Sequence, residues 1–249
     1  MIGGLIRRRV TSLFCFNRNS LSLLKFFLVT GLLLGGCQGP GNLPVDIQRL
    51  PERVELSGVP FFAESAFDGA PGALATVLSQ QGVVTTPGLV AKQLKLPEAE
   101  LQLAQNIPRV AREQGFVVYP LGAGLAELLD QVAAGFPVLV RFSEGLGWMA
   151  SSRYAVLVGY DRAQQTLLLR SGQSKRWLAD FTAFKDDWEK AGRWSVLVQA
   201  PARLPASVDP LRWRQAAAEL ERVGQVQAAA SAYQALEAPS QPVKSKTAP

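Results

Sequence analysis

Past Gly135 the chain changes texture, and that change restricts its fold more than any other feature. FPVLVRF (Phe136 to Phe142), RYAVLVGYD (Arg153 to Asp161), QTLLLRSG (Gln165 to Gly172) and GRWSVLVQA (Gly192 to Ala200) are short runs rich in β-formers, each bounded by turn residues. A helix around residues 180–190 is expected to interrupt them. Before Gly135 the patterns are helical. A helix is expected from Pro71 to Gln81, with proline in its first turn and Gly82 ending it. A second is expected within residues 85–94, with Thr86 as N-cap and Pro87 at the first position. Residues 99–114 read as helical with a break at Pro108, and GFVVYPL as a short strand. Residues 123–135 read as an amphipathic helix from the spacing of Leu125, Leu128, Leu129 and Val132. Residues 54–62, VELSGVPFF, look extended, with Pro60 favouring a sheet edge. Helices followed by an antiparallel sheet argue for an α+β fold.

The termini carry different signals. Residues 1–36 hold Arg7, Arg8, Arg9, Arg18 and Lys25 and no acid, ahead of the apolar run FFLVTGLLL. That run is too short to span a bilayer as a mature helix. Leu34-Gly35-Gly36-Cys37 resembles the bacterial lipobox, which would make Cys37 the lipidated first residue of the mature chain. An ordinary secretory signal with an incidental cysteine is the alternative. Gln38 after the cysteine resembles lipoproteins sorted to the outer membrane, facing the periplasm. The formal charge of +6 follows this segment, because without it 21 bases face 20 acids. A near-neutral body speaks against nucleic acid as a partner. Residues 37–53 read as a Gly/Pro-rich tether, residues 54–202 as the main domain and residues 239–249 as a disordered tail.

Within residues 207–238, Asp209 is placed to cap a helix from Pro210 to Val223, and Gln225 to Glu237 forms a second. Trp213, Ala217, Leu220, Gly224, Ala229 and Tyr233 have the spacing of one tetratricopeptide repeat, although Leu236 stands where alanine is usual. A plain helical hairpin packed on the domain is the simpler reading.

Two segments together resemble the double-glycine (bacteriocin-processing) cysteine peptidases, in particular lipoprotein relatives with tetratricopeptide tails. VPFF…PGALATVL (residues 59–78) resembles the nucleophile segment, and RYAVLVGYD resembles the histidine strand, with LLLRSG following as the strand of the third polar residue. The resemblance covers residues 54–200 and implies a papain-like fold. Carried over position by position, it places Gly69 at the nucleophile, Arg153 at the histidine, Glu64 at or next to the oxyanion-hole glutamine, and Ser171 near the residue that orients histidine.

Those four positions lack the family's chemistry. Glycine offers no nucleophile, and arginine cannot act as a base near neutral pH. A carboxylate at Glu64 would repel the intermediate that glutamine stabilises. The chain contains no histidine, Cys15 leaves with the signal, and Cys37 would be blocked as a thioether. Cys–His and Ser–His pairs are thereby excluded, and a zinc site loses its usual ligands. Ser65, Ser151 and Ser152 have no histidine to activate them and read as loop residues. Asp186 and Asp187 read as a solvated helix face, and Gly122 and Gly124 lack a dinucleotide-binding context. Trp148, Trp177, Trp188 and Trp194 read as core or cleft-wall residues. A Glu64–Arg153 ion pair closing the old cleft is expected, with an Arg153 free to bind a peptide carboxylate, or two solvated surface charges, as the alternatives.

The sequence thus leads to an expectation of a chain that is not an enzyme, without cofactor or metal. It would be a lipid-anchored envelope protein binding a peptide or protein partner through the cleft, the helical tail or both. A structural lipoprotein acting only through its hairpin is the alternative, and a hydrolase using other residues is the remote one.

Overall fold

The computed structural model describes residues 43–122, 124–145 and 150–238. The signal segment, Cys37, Trp148 and the 239–249 tail lie outside the described residues.

A one-turn helix α1 (Val45–Gln48) and a short strand β1 (Arg53–Glu55) precede a 3-10 turn over Ala66–Gly69. Of the run expected to be extended over residues 54–62, Val54 and Glu55 end β1, and the Leu56 N–H donates to Val158 O at 2.7 Å. Helix α2 (Ala70–Gln80) follows with Pro71 in its first turn, and its small residues let it bury along Ala70 to Leu78. In α3 (Pro87–Gln93) the Thr86 hydroxyl accepts the Leu89 N–H, as its N-cap position predicts. A 3-10 turn (Glu100–Gln102) leads into α4 (Leu103–Glu113), which continues through Pro108. The expected break is absent for a tertiary reason. A proline inside a helix costs roughly 3 kcal/mol, whereas burying Leu103, Ile107 and Val110 on one face contributes about 1.5–3 kcal/mol each.

The remaining elements are β2 (Val117–Leu121), α5 (Leu125–Ala133), β3 (Val138–Glu144), β4 (Ser151–Asp161), β5 (Thr166–Ser171), β6 (Ser174–Asp180), α6 (Phe181–Lys190) and β7 (Ser195–Gln199). They close with α7 (Pro210–Arg222) and α8 (Val226–Glu237). Strand order is β2-β7-β3-β4-β5-β6, every pairing antiparallel, and β1 lies against β4 beyond the point where β3 stops. Strand β6 was not among the runs read from sequence. SKRWLAD is an edge strand with mostly exposed side chains, so it lacks the apolar pattern that marks a buried strand.

Strand side chains divide by parity, except that Tyr160 joins the first core past the register shift between Leu157 and Gly159 in β4. Val138, Val140, Phe142, Ala155, Leu157, Leu167, Leu169 and Leu197 join one core with α5, α6 and the α7–α8 hairpin. Leu139, Tyr154, Val156, Val158, Leu168, Val196 and Val198 join the other with α2, α3 and α4. Helices therefore cover both faces of the sheet, which is why the central strands read as nearly continuous apolar runs. The mixed α+β class with an antiparallel sheet and C-terminal helices is as expected, although the helices are not confined to the N-terminal half.

The hairpin belongs to the first core. Trp213 is fully buried, its indole N–H donates to Ala232 O at 2.7 Å, and its ring lies 6.0 Å from that of Tyr119. Asp209 accepts the N–H groups of Leu211 and Arg212, and Arg212 pairs with Glu127 of α5. Ala217, Leu220 and Ala229 are buried and Tyr233 is half-buried.

Candidate functional site

The segment before α2 has an unusual backbone. Phe67, Asp68 and Gly69 all occupy the left-handed region, with φ of 50°, 57° and 75°. For the two residues with side chains this conformation is unfavourable, so the surroundings must hold it. They do so from both sides. The Ala66 N–H donates to Glu64 Oε1 at 2.8 Å, and the Glu64 N–H donates to Gly172 O at 3.1 Å. Gly72 lets this segment approach α2, because a Cβ there would sit 2.7 Å from that of Glu64.

Gly69 is buried behind the turn. A Cβ on it would lie 3.3 Å from Tyr154 O, 3.4 Å from Glu64 O and 3.8 Å from Gly172 N. The segments carrying Glu64, Gly69, Arg153 and Ser171, far apart in the chain, therefore meet at the place where β4 and β5 part. The tertiary structure brings all four positions to one locality.

A groove of about 510 Å³ opens beside it. Ser65, Arg153, Ser171 and Gly172 are among the residues that line it, as are Phe142, Glu144 and Trp177. Phe142 and Trp177 lie 5.0 Å apart between ring centres, tilted by 31°, and Phe142 also meets Phe184 at 6.2 Å. At the rim Arg153 Nε donates to Glu144 Oε2 at 2.6 Å.

The expected Glu64–Arg153 pair is thus corrected. Glu64 has its carboxylate on its own turn, at the Ala66 N–H, while Arg153 takes a partner across the strands. Phe142 stands opposite Arg153 and Ser151 opposite Glu144, so the two charged side chains are diagonal neighbours on one face. Their side chains are 33% and 54% exposed. A pair so exposed is worth about 0–1 kcal/mol, so it narrows the groove without locking it.

Sequence reasoning missed Asp68 and Glu144. Asp68 is half-buried, and burial pushes its carboxyl above the ordinary aspartate range against the opposing pull of Arg153, with Glu100 and Glu144 adding to the rise. Its position next to Gly69 was the available signal. Glu144 could have been found from strand alternation, two residues beyond Phe142. Tyr154, whose ring meets Trp194 edge-on at 5.5 Å, is buried beneath the site, and desolvation raises its hydroxyl pKa.

Other candidates fall elsewhere. Ser151 and Ser152 begin β4, Asp187 pairs with Lys190 on the open face of α6, and the Gly122 N–H donates to Glu127 ahead of α5. Trp188 is core, whereas Trp177 is groove wall.

No family model matches the chain, and no curated protein matches its sequence. Among solved structures it is similar to a C39-like peptidase from Bacillus anthracis, at 18% identity over 59% of this chain and 98% of that one, with a TM-score of 0.49. It is similar to the peptidase domain of Streptococcus ComA, a bifunctional ABC transporter of a quorum-sensing pathway, at 19% identity over 57% and 98%, with a TM-score of 0.43. It is also similar to xylellain, a cysteine protease from Xylella fastidiosa, at 9% identity over 65% and 90%, with a TM-score of 0.46.

The expectation that the chain is not an enzyme is corrected to a narrower statement, beside neighbours that are themselves described as peptidases or a peptidase domain. The physical reason lies in the scope of the exclusion. A chain without histidine, with glycine at position 69, is barred from a Cys–His pair. That is narrower than being barred from chemistry.

Proposed function

We propose that the chain is a lipid-anchored envelope protein that holds an extended peptide or protein segment in the groove beside Arg153. The observation that carries this reading is the groove's make-up. The Phe142–Trp177 wall offers apolar contact, and the weak Arg153–Glu144 pair leaves a permanent cation that a ligand carboxylate can take over. Anchoring at Cys37, an outer-membrane location and the lack of a nucleic-acid role rest on the signal segment and the near-neutral body.

A displayed peptide library panned on the full chain, followed by titration of the selected peptides, tests the reading. Arg153→Glu is expected to weaken binding by about tenfold or more, as loss of a charge-assisted contact does. Unchanged affinity would refute the groove as the site. Reading the same mixtures for new amino termini reports whether bound peptide is also cut.

The second reading places the partner on the hairpin, where Leu211 and Val226 are 64% and 52% exposed. Leu211→Asp would then abolish binding while Arg153→Glu leaves it intact.

A further inference from the structure

On the opposite face of the β5–β6 hairpin from the groove, three basic side chains converge. Leu169 pairs with Trp177 and Ser171 with Ser174, so Arg170 alone faces both Lys175 and Arg176. This extra residue is a β-bulge, and it places the two cations on the face that Arg170 shares with Leu168. Without the bulge, strand alternation would send Lys175 and Arg176 to opposite faces.

Arg170 is 6% exposed, the one buried charged residue among the described residues. Its Nη1 donates to Pro60 O at 2.6 Å, while its buried Nε has no partner. An unsatisfied buried donor costs about 1–3 kcal/mol, and a guanidinium does not relieve that cost by losing its proton. With Nη1 occupied, Nε and Nη2 remain as the donor fork, which can donate to two oxygens of one oxyanion.

That side chain lines a cavity of about 220 Å³ together with Ser57, Lys175 and Arg176. Glu55 is the acid on its wall, and it pairs with Arg176. Glu55 also attracts Arg170, so one acid faces three cations, and Lys175 is exposed and without an ion-pair partner among the described residues. The volume exceeds the roughly 30 Å³ share of one water several-fold, which is room for a carboxylate or a phosphate group.

We propose that this cavity, built from Arg170, Lys175 and Arg176, is a second ligand site that binds an oxyanion of the carboxylate or phosphate type. Arg170 supplies the buried fork, the bulge supplies the flanking charge, and Ser57 is part of the wall. The site is independent of the groove, because Arg153, Phe142 and Trp177 belong to the other face of the sheet.

The test titrates the full chain with inorganic phosphate and, separately, with an acetylated and amidated Glu-Glu peptide. Both titrations run at fixed ionic strength and are read by calorimetry and by the rise in Tm that a native-state ligand produces. Saturable binding of either probe is expected, and the tighter probe identifies the source of the oxyanion. Lys175→Glu, an exposed change that leaves Arg170 and its backbone contact in place, is expected to weaken it about tenfold. Arg153→Glu should leave it unaltered. The proposal is overturned if neither probe saturates below roughly 10 mM, or if Lys175→Glu binds as the parent does.

Discussion

Asp68 and Gly69 show how much of the site depends on backbone conformation. For Asp68 the folded state binds its proton more tightly than the unfolded chain, because desolvation outweighs Arg153. Its stabilising contribution is therefore complete below the ordinary value of 3.8 and is lost as pH rises through the folded value. Asp68→Asn removes that loss and tolerates a left-handed backbone. The variant should be more stable than the parent at neutral pH, with a flatter decline from pH 4 upward, by urea unfolding at each pH. Identical profiles would show that Asp68 is not the group responsible. Gly69→Cys would place a thiol where the resembling family carries one, yet φ of 75° and Tyr154 O at 3.3 Å oppose any side chain. A loss of about 1–2 kcal/mol is expected from the conformation alone, seen as a lower urea midpoint. The residues that meet here were legible as positions in a linear pattern. Their partners were not, because Arg153 pairs with Glu144 through cross-strand register and Glu64 is claimed by its own turn.

Elements whose signals are local were readable, and elements decided by burial were not. Thr86 and Asp209 accept N–H groups within three residues of themselves, so the starts of α3 and α7 lie in the sequence. Helix α4 passes through Pro108 because its apolar face is held by the second core, and β6 escaped notice because an exposed edge strand has no apolar rhythm. The hairpin α7–α8 carries the spacing of a repeat, and what it does in the fold is cover Tyr119 and the sheet. Trp213→Ala should accordingly cost about 3–5 kcal/mol, measured by denaturant unfolding of the whole chain. A cost below about 1 kcal/mol would mean that the hairpin is an appendage. By the same reasoning, cutting the chain near residue 205 would open the core and could not serve as a clean test of partner binding.

At the scale of the whole molecule, the segment before the domain and the domain itself make separate claims. Cys37→Ser is expected to move the protein from the membrane fraction to the soluble fraction on cell fractionation, with the groove's peptide binding unaltered. Membrane association that survives the change would remove Cys37 as the anchor. The sequence by itself determined the α+β class, most helix starts and the central strands, since caps, turns and residue-type runs act over a few residues. It also determined that no imidazole exists anywhere in the chain. Only the tertiary structure decided that helices cover both sheet faces and that α4 survives its proline. It alone decided that Arg153 faces Glu144 and that a bulge gathers three cations around a buried guanidinium. Those outcomes depend on strand register and on which surfaces lose their water. Both are set by contacts between segments far apart in the chain, to which no local pattern has access.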